Sequence, residues 1–107
     1  MSIFELVEVY ADAWRKMDVA IVEPFLADSF TYSSMWVFET LDKKGYLEYL
    51  QGKFDAIKKS GSIIEVTTGM NEMGIPSVIL RQDGSFTAFI TVKESEGKIS
   101  EAYMLAF

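Results

Sequence analysis

The side chains available for chemistry in this chain are hydroxyls, carboxylates and amines, because its 107 residues include no histidine and no cysteine. Histidine is the side chain that titrates near neutral pH, and it is the commonest metal ligand in proteins. A serine or cysteine nucleophile activated by histidine is therefore excluded, and so is a disulfide framework. We predict no metal site and no cofactor.

Tyr10 and Trp14 lie one turn apart on the apolar stripe of the first predicted helix. The Tyr10 hydroxyl could donate a hydrogen bond to a ligand or to an oxyanion, and Trp14 could line the same pocket. The alternative is that both are core residues, with the tyrosine hydroxyl at the edge of the core.

The first predicted strand, residues 30–38, carries aromatic and hydroxyl side chains on one face. Alternation places Tyr32, Ser34 and Trp36 together there. An aromatic cup with a few hydroxyls is the usual composition of a small-molecule site. The alternative is that these aromatics only fill the interior. With residues from other elements, the predicted ligand-binding set is Tyr10, Trp14, Tyr32, Ser34, Trp36, Phe54, Phe89 and Tyr103.

Glu101 lies in the last predicted strand, where alternation puts it on the same face as Ile99, Tyr103 and Leu105. A carboxylate buried among such neighbours could serve as a general base. The alternative is a position at a subunit interface, where the carboxylate would be paired or partly hydrated. Tyr10 and Glu101 are therefore the two candidate catalytic residues.

Helices and strands must position these residues. Ser2 and Glu5 form a capping-box pattern ahead of the first helix. A short second helix follows. A third helix is predicted to start at Thr40 or Asp42 and to end at Gly61. The lysines of this third helix are expected to form a solvated face: Lys43, Lys44, Lys53, Lys58 and Lys59.

Strands are predicted at 62–69 and in three runs within residues 75–107, with a tight hairpin turn at Asp83-Gly84. The order helix, helix, strand, helix and four strands is typical of an α+β fold with helices packed on a curved antiparallel or mixed sheet. The chain shows no linker or repeat, so residues 1–107 are predicted to form a single domain.

The C-terminal strands are apolar on both faces, whereas a half-exposed antiparallel strand should alternate apolar and polar residues. The helices can cover one face, so the other needs a partner subunit or a ligand cavity. We predict a homodimer through the outer face of this sheet. Lysine in place of Ile90 or Val92 should disrupt the dimer if those side chains face outward.

The net charge of −6 argues against a nucleic-acid partner, since such proteins need a lysine and arginine footprint. No stretch approaches the ~18 apolar residues of a membrane span. The first residues carry acids where a signal peptide would be basic. The predicted location is cytoplasmic, with neither a nucleic-acid nor a membrane partner.

Four stretches carry a family resemblance when they are considered with the order of elements: Tyr10 and Trp14, Met17-Asp18-Val19, residues 25–32 and residues 97–103. Together they resemble the nuclear transport factor 2-like superfamily, specifically its SnoaL-like, ketosteroid-isomerase-like bacterial members. The likeness covers essentially the whole chain. It implies a cone, in which a curved sheet wraps around helices and encloses an internal pocket.

The resemblance also implies roles for single positions. Tyr10 falls where ketosteroid isomerases keep the tyrosine that donates to the substrate oxyanion, but their general-base aspartate falls on Ser34. Their second acid falls within residues 86–89, which contain no carboxylate. An unassisted serine hydroxyl cannot take the proton, so ketosteroid isomerisation is not expected. Scytalone-dehydratase-like members need histidines, which are absent.

Two functions are compatible with these residues. The first is a small-molecule-binding domain with an aromatic, mostly apolar pocket for a small hydrophobic ligand and without strong catalysis. The alternative is a weak lyase, isomerase or cyclase acting on a small hydrophobic substrate. In that case Tyr10 would be the oxyanion donor and Glu101 the proton acceptor.

Overall fold

The computed structural model describes residues 1–35 and 37–106, except the side chains of Val37, Phe38 and Phe86. Its helices are α1 (Ile3–Lys16), α2 (Val19–Val22) and α3 (Lys43–Ser60), with a short 3₁₀ turn at Glu23–Phe25. Its strands are β1 (Leu26–Ser34), β2 (Val37–Asp42), β3 (Ile64–Met70), β4 (Pro76–Gln82), β5 (Phe86–Ser95) and β6 (Lys98–Ala106).

The strands form one open sheet in the order β2-β1-β6-β5-β4-β3. β1 and β6 pair in parallel, and the other neighbours pair antiparallel. α1 packs on β3, β4 and β5, and α3 packs on β1 and β2. The buried hydrophobic residues form one cluster between the helices and the sheet. The predicted α+β class with a mixed sheet is confirmed.

The predicted helix ends are confirmed. Ser2 Oγ accepts a hydrogen bond from the Glu5 amide at 3.3 Å, and the Glu5 carboxylate accepts from the Ser2 amide at 3.1 Å. These hydrogen bonds hold the pKa of Glu5 below its ordinary value. Asp42 caps α3 by accepting from the Gly45 amide at 2.8 Å. Gly61 ends α3 in the left-handed conformation, with φ 73°.

The single strand predicted at 30–38 is wrong, because this region forms the β1–β2 hairpin. β1 begins earlier, at Leu26, and Ser34 pairs with Val37 across the turn. Glycine, proline, asparagine and aspartate are the usual signals of a two-residue turn. The sequence has none of them at positions 35 and 36. The pairing of β1 with β6 and β2 therefore sets the point at which β1 ends, because no local turn signal is present there.

The two faces of β5 have different surroundings. Ala88, Ile90 and Val92 are buried on the face that the helices cover, whereas Phe89 and Thr91 alternate with them on the outer face. Ile90 and Val92 therefore do not face outward, so the condition under which lysine at these positions would disrupt a dimer is not met. The Asp83-Gly84 turn that precedes β5 is confirmed, with φ values of 51° and 78°.

Candidate functional site

Four tyrosines from three elements lie close together between the helices and the sheet. Tyr10 belongs to α1, Tyr32 to β1, and Tyr46 and Tyr49 to α3. The hydroxyls of Tyr10 and Tyr46 are hydrogen-bonded to each other. The rings of Tyr32 and Tyr46 pack with their centroids 4.4 Å apart. Because Tyr10, Tyr32 and Tyr46 are almost fully buried, this cluster is a part of the core.

Burial raises the pKa of Tyr10, Tyr32 and Tyr46 above the ordinary tyrosine value of 10.0. In Tyr46 the neighbouring Tyr10 raises the pKa further. These phenols are therefore neutral at physiological pH. They can donate or accept hydrogen bonds, but they supply no negatively charged base.

The raised pKa values predict that stability falls as the pH rises above ~10. In that range the unfolded chain releases phenol protons that the folded chain still holds, so unfolding is favoured. The stability that the neutral phenols contribute is fully present below the unfolded-state pKa. The circular-dichroism signal of the folded state should be lost in the same pH range in which the buried Tyr10, Tyr32 and Tyr46 add their tyrosinate absorbance. A Tyr10→Phe/Tyr46→Phe double variant should lose stability less steeply, because it lacks two of the shifted groups.

A cleft of about 220 Å³ lies beside this core, between the two long helices and the inner face of the sheet. Trp14 forms one wall, and its ring packs edge-to-face on Phe54 at a centroid distance of 5.0 Å. The other lining residues come from α3 and from the strands β3 to β6: Lys53, Ile57, Ile64, Leu80, Gln82, Ala88 and Met104. The walls are therefore mostly apolar.

Three polar groups belong to the cleft residues. Lys53 is half-buried, and its ammonium donates to the Tyr49 hydroxyl at 3.2 Å. Gln82 donates its amide to Ser62 Oγ at 3.3 Å. The indole nitrogen of Trp14 is buried and has no hydrogen-bond partner in the described part of the chain. None of the lining residues in the described part of the chain carries a carboxylate, which is the usual base for removing a proton from carbon.

The structure separates the predicted ligand-binding residues. Trp14 lines the cleft, whereas Tyr10, Tyr32 and Phe54 lie in the core behind it. Ser34 is buried in β1, and Trp36 lies outside the described residues. The rest of the predicted set is on the outer face of the sheet and cannot share the cleft: Phe89 and Tyr103. Whether any of these residues binds a ligand stays a prediction.

Glu101 lies on the outer face of β6, where its carboxylate pairs with the Lys93 ammonium at 3.1 Å. Its side chain is 51% exposed. Ile99, expected on the same face, is fully buried, because β6 has a register shift between these two residues. The sheet therefore lies between Glu101 and the buried Tyr10, and the two candidate catalytic residues cannot act on one substrate.

Sequence reasoning missed Lys53, which was expected on a solvated helix face. Lys44, Lys58 and Lys59 are indeed exposed, whereas Lys43 and Lys53 are half-buried. The helical spacing contained a signal for Lys53, since it lies beside the apolar stripe of Leu50, Phe54 and Ile57. A long amphipathic side chain at the border of such a stripe often packs its stem on apolar surface.

Within residues 1–35 and 37–106, no cluster of acidic side chains is arranged to hold a metal ion. Among the helices of the same part of the chain, none combines the length and the apolar character needed to cross a bilayer.

No protein-family model matches the chain, and no curated protein is significantly similar to it in sequence. Its structure is similar to solved ones. A SnoaL-like protein of unknown function from Burkholderia thailandensis superposes with a TM-score of 0.76 at 15% identity, covering 96% of this chain and 92% of that one. An NTF2-like protein of unknown function from Cytophaga hutchinsonii gives 0.71 at 12% identity, with coverages of 100% and 91%.

An LEH-like epoxide hydrolase from M. tuberculosis is more distant, with a TM-score of 0.60 at 15% identity and coverages of 97% and 81%. At such identities the superposition shows the fold and not the activity. The chain therefore has the fold of the SnoaL-like and nuclear transport factor 2-like proteins, as its sequence resemblance predicted.

Proposed function

We propose that this protein is a small-molecule-binding domain without strong catalysis, and that its ligand occupies the cleft beside Trp14. The cleft carries this proposal, since it opens between α1, α3 and the inner face of the sheet and is lined mostly by apolar side chains. Small-molecule sites typically combine such walls with a few polar groups. Its volume of about 220 Å³ suits a ligand with one ring or a short chain.

The absence of a carboxylate in the lining favours binding over acid–base catalysis. Removal of a proton from carbon needs a base within hydrogen-bond reach, and such a step contributes ~10²–10⁴-fold to a rate. Tyr10 is buried against Tyr46, and Glu101 is on the opposite face of the sheet. The alternative of a weak isomerase or lyase that uses this pair therefore has no support in the geometry.

Ligand binding can be followed through the indole N–H signal of Trp14 in a nitrogen–proton correlation spectrum. Benzene derivatives bearing an alcohol, amide, amine or carboxylate group are the probes. At least one probe is expected to move that signal at millimolar concentration. A spectrum that no probe changes would contradict the proposal.

Two glutamine variants locate the binding. Gln82→Phe places a ring at a position that lines the cleft and should weaken binding at least tenfold. Gln51→Phe changes an exposed residue of α3 that does not line the cleft, so it should leave binding unchanged. Equal binding by both variants would show that the probe sits elsewhere.

We also propose that the chain forms a homodimer through the outer face of β4, β5 and β6. Ile79, Phe89 and Leu105 are direct cross-strand neighbours there, so they form an apolar row across three strands. Tyr103 lies beside this row and is 41% exposed. Stable dimers bury about 800 Å² per partner, and apolar cores are typical of their interfaces.

The dimer is tested by light scattering at micromolar concentration, where the mass should be about twice the chain mass of 12.1 kDa. Phe89→Lys places a charge in the apolar row and should shift the mass toward the monomer. Ile63→Lys is the matched control, since Ile63 is 68% exposed and lies before β3, outside the row. A monomeric wild-type protein would contradict the proposal.

A further inference from the structure

Lys53 is a cation in an apolar cleft without a carboxylate partner. Some other cations of the described chain do pair with acids, for example Lys43 with Asp28 at 3.8 Å and Lys93 with Glu101 at 3.1 Å. The Lys53 ammonium has no carboxylate within 4.0 Å in the described part of the chain, although the protein has 16 acidic and 10 basic residues. Its hydrogen bond to the Tyr49 hydroxyl uses one of its three donors.

The other residues that line the cleft also favour a negatively charged ligand over a positively charged one. None of the described lining residues is acidic, so none of them competes with a ligand for Lys53. The Trp14 ring lines the same cleft, and its indole nitrogen is buried without an acceptor in the described part of the chain. A ligand oxygen can therefore accept a hydrogen bond from the Lys53 ammonium without competition from a carboxylate of the described lining residues.

The apolar walls define the other end of the ligand. Leu80, Ile64 and Met104 offer no hydrogen bonds from their side chains, so a small inorganic anion would leave most of the cleft uncovered. A ring or a branched chain attached to an acid group can contact the apolar walls and also bind the Lys53 ammonium. The volume of about 220 Å³ restricts it to roughly the size of one ring with a short side chain.

We infer that the cleft binds a small amphipathic carboxylate, with its acid group on the Lys53 ammonium and its apolar body against Trp14, Leu80 and Met104. This inference rests on the proposed function and deepens it by naming the ligand class. A hydrogen bond that involves a charged group is roughly twice as strong as a neutral one. The acid should therefore be preferred over an uncharged molecule of the same shape.

Phenylacetate and phenylacetamide test the inference, because they have nearly the same shape and differ in charge. Calorimetry on the wild-type protein should give an affinity for the acid about ten- to hundredfold higher than for the amide. Lys53→Met keeps an apolar stem and removes the charge, so it should bring the two affinities within about threefold. Lys58→Met, at an exposed position of the same helix, should preserve the wild-type preference.

The outcomes separate the inference from the proposed function. Binding of the amide as tightly as the acid, or an unchanged preference in Lys53→Met, would overturn the charge assignment while the cleft remained a binding site. Failure of both probes to bind, and of the whole panel of benzene derivatives to move the Trp14 signal, would overturn the proposed cleft function and this inference with it. A lost preference in Lys58→Met would also overturn the role of Lys53.

Discussion

Ile90→Lys is expected to abolish the folded state. Ile90 is fully buried in the central part of β5, opposite Val78 and Met104 on the neighbouring strands. Loss of its apolar burial removes about 1.5–3 kcal/mol. An unpaired buried charge adds several kcal/mol more. The sum is comparable with the whole stability of a domain this size, about 5–15 kcal/mol.

The measurement is circular dichroism with thermal or urea unfolding, in which the variant should show no cooperative transition. Phe89→Lys is the matched control, one residue away on the same strand but on the outer face. Its fold should persist, and only its self-association should change. A cooperatively folded Ile90→Lys protein would mean that the two faces of β5 are assigned the wrong way round.

Phe54→Ala is expected to lower the free energy of unfolding by about 3–5 kcal/mol, a value typical of a buried phenylalanine replaced by alanine. Phe54 is fully buried in α3, and its ring packs edge-to-face against Trp14 with an interplanar angle of 86°. The variant therefore loses apolar burial and one aromatic pair, and a cavity remains. Urea unfolding should show a lower midpoint with a similar slope.

Phe4→Ala is the control for that variant. Phe4 is also a helical phenylalanine, but it is 57% exposed at the start of α1. Its replacement should change the unfolding free energy by less than about 1 kcal/mol. Similar losses in the two variants would contradict the position of Phe54 in the core. Weakened ligand binding in Phe54→Ala alone would fit its contact with the cleft wall at Trp14.

The core around Phe54 and the cleft beside Trp14 are neighbouring parts of the structure. Phe54 supports Trp14 from the core, and Trp14 faces the cleft with its neighbours Lys53 and Leu80. Variants that destabilise the core should therefore be compared at temperatures where all of them are folded. Under those conditions a change in affinity reports on the cleft itself, because the folded fraction no longer affects it.

The ends of the helices were predictable because each depends on residues close together in the chain. The Ser2–Glu5 capping box, the Asp42 cap and the left-handed Gly61 all involve groups within four positions of one another. The α+β class was also predictable, since the order and type of elements follow from hydrophobic periodicity. The hairpin at Asp83-Gly84 has the same local origin.

Which side chains of each strand are buried and which are exposed could be known only from the tertiary structure. The β1–β2 hairpin turns at a site without turn residues, and pairing with β6 decides where β1 ends. The register shift in β6 places Ile99 in the core and Glu101 in solvent, although strict alternation would put them on one side. One residue of shift exchanges the faces, so no local pattern determines them.

The order of the residues is enough to show that histidine and cysteine are missing, where the long helices form and which aromatic side chains can fill the interior. Contacts between distant residues became visible in the folded protein: Tyr10 is hydrogen-bonded to Tyr46, a residue 36 positions away, and Lys53 lines the cleft beside Trp14. Such contacts arise from the packing of helices on a curved sheet. They join residues whose separation along the chain carries no information about their distance in space.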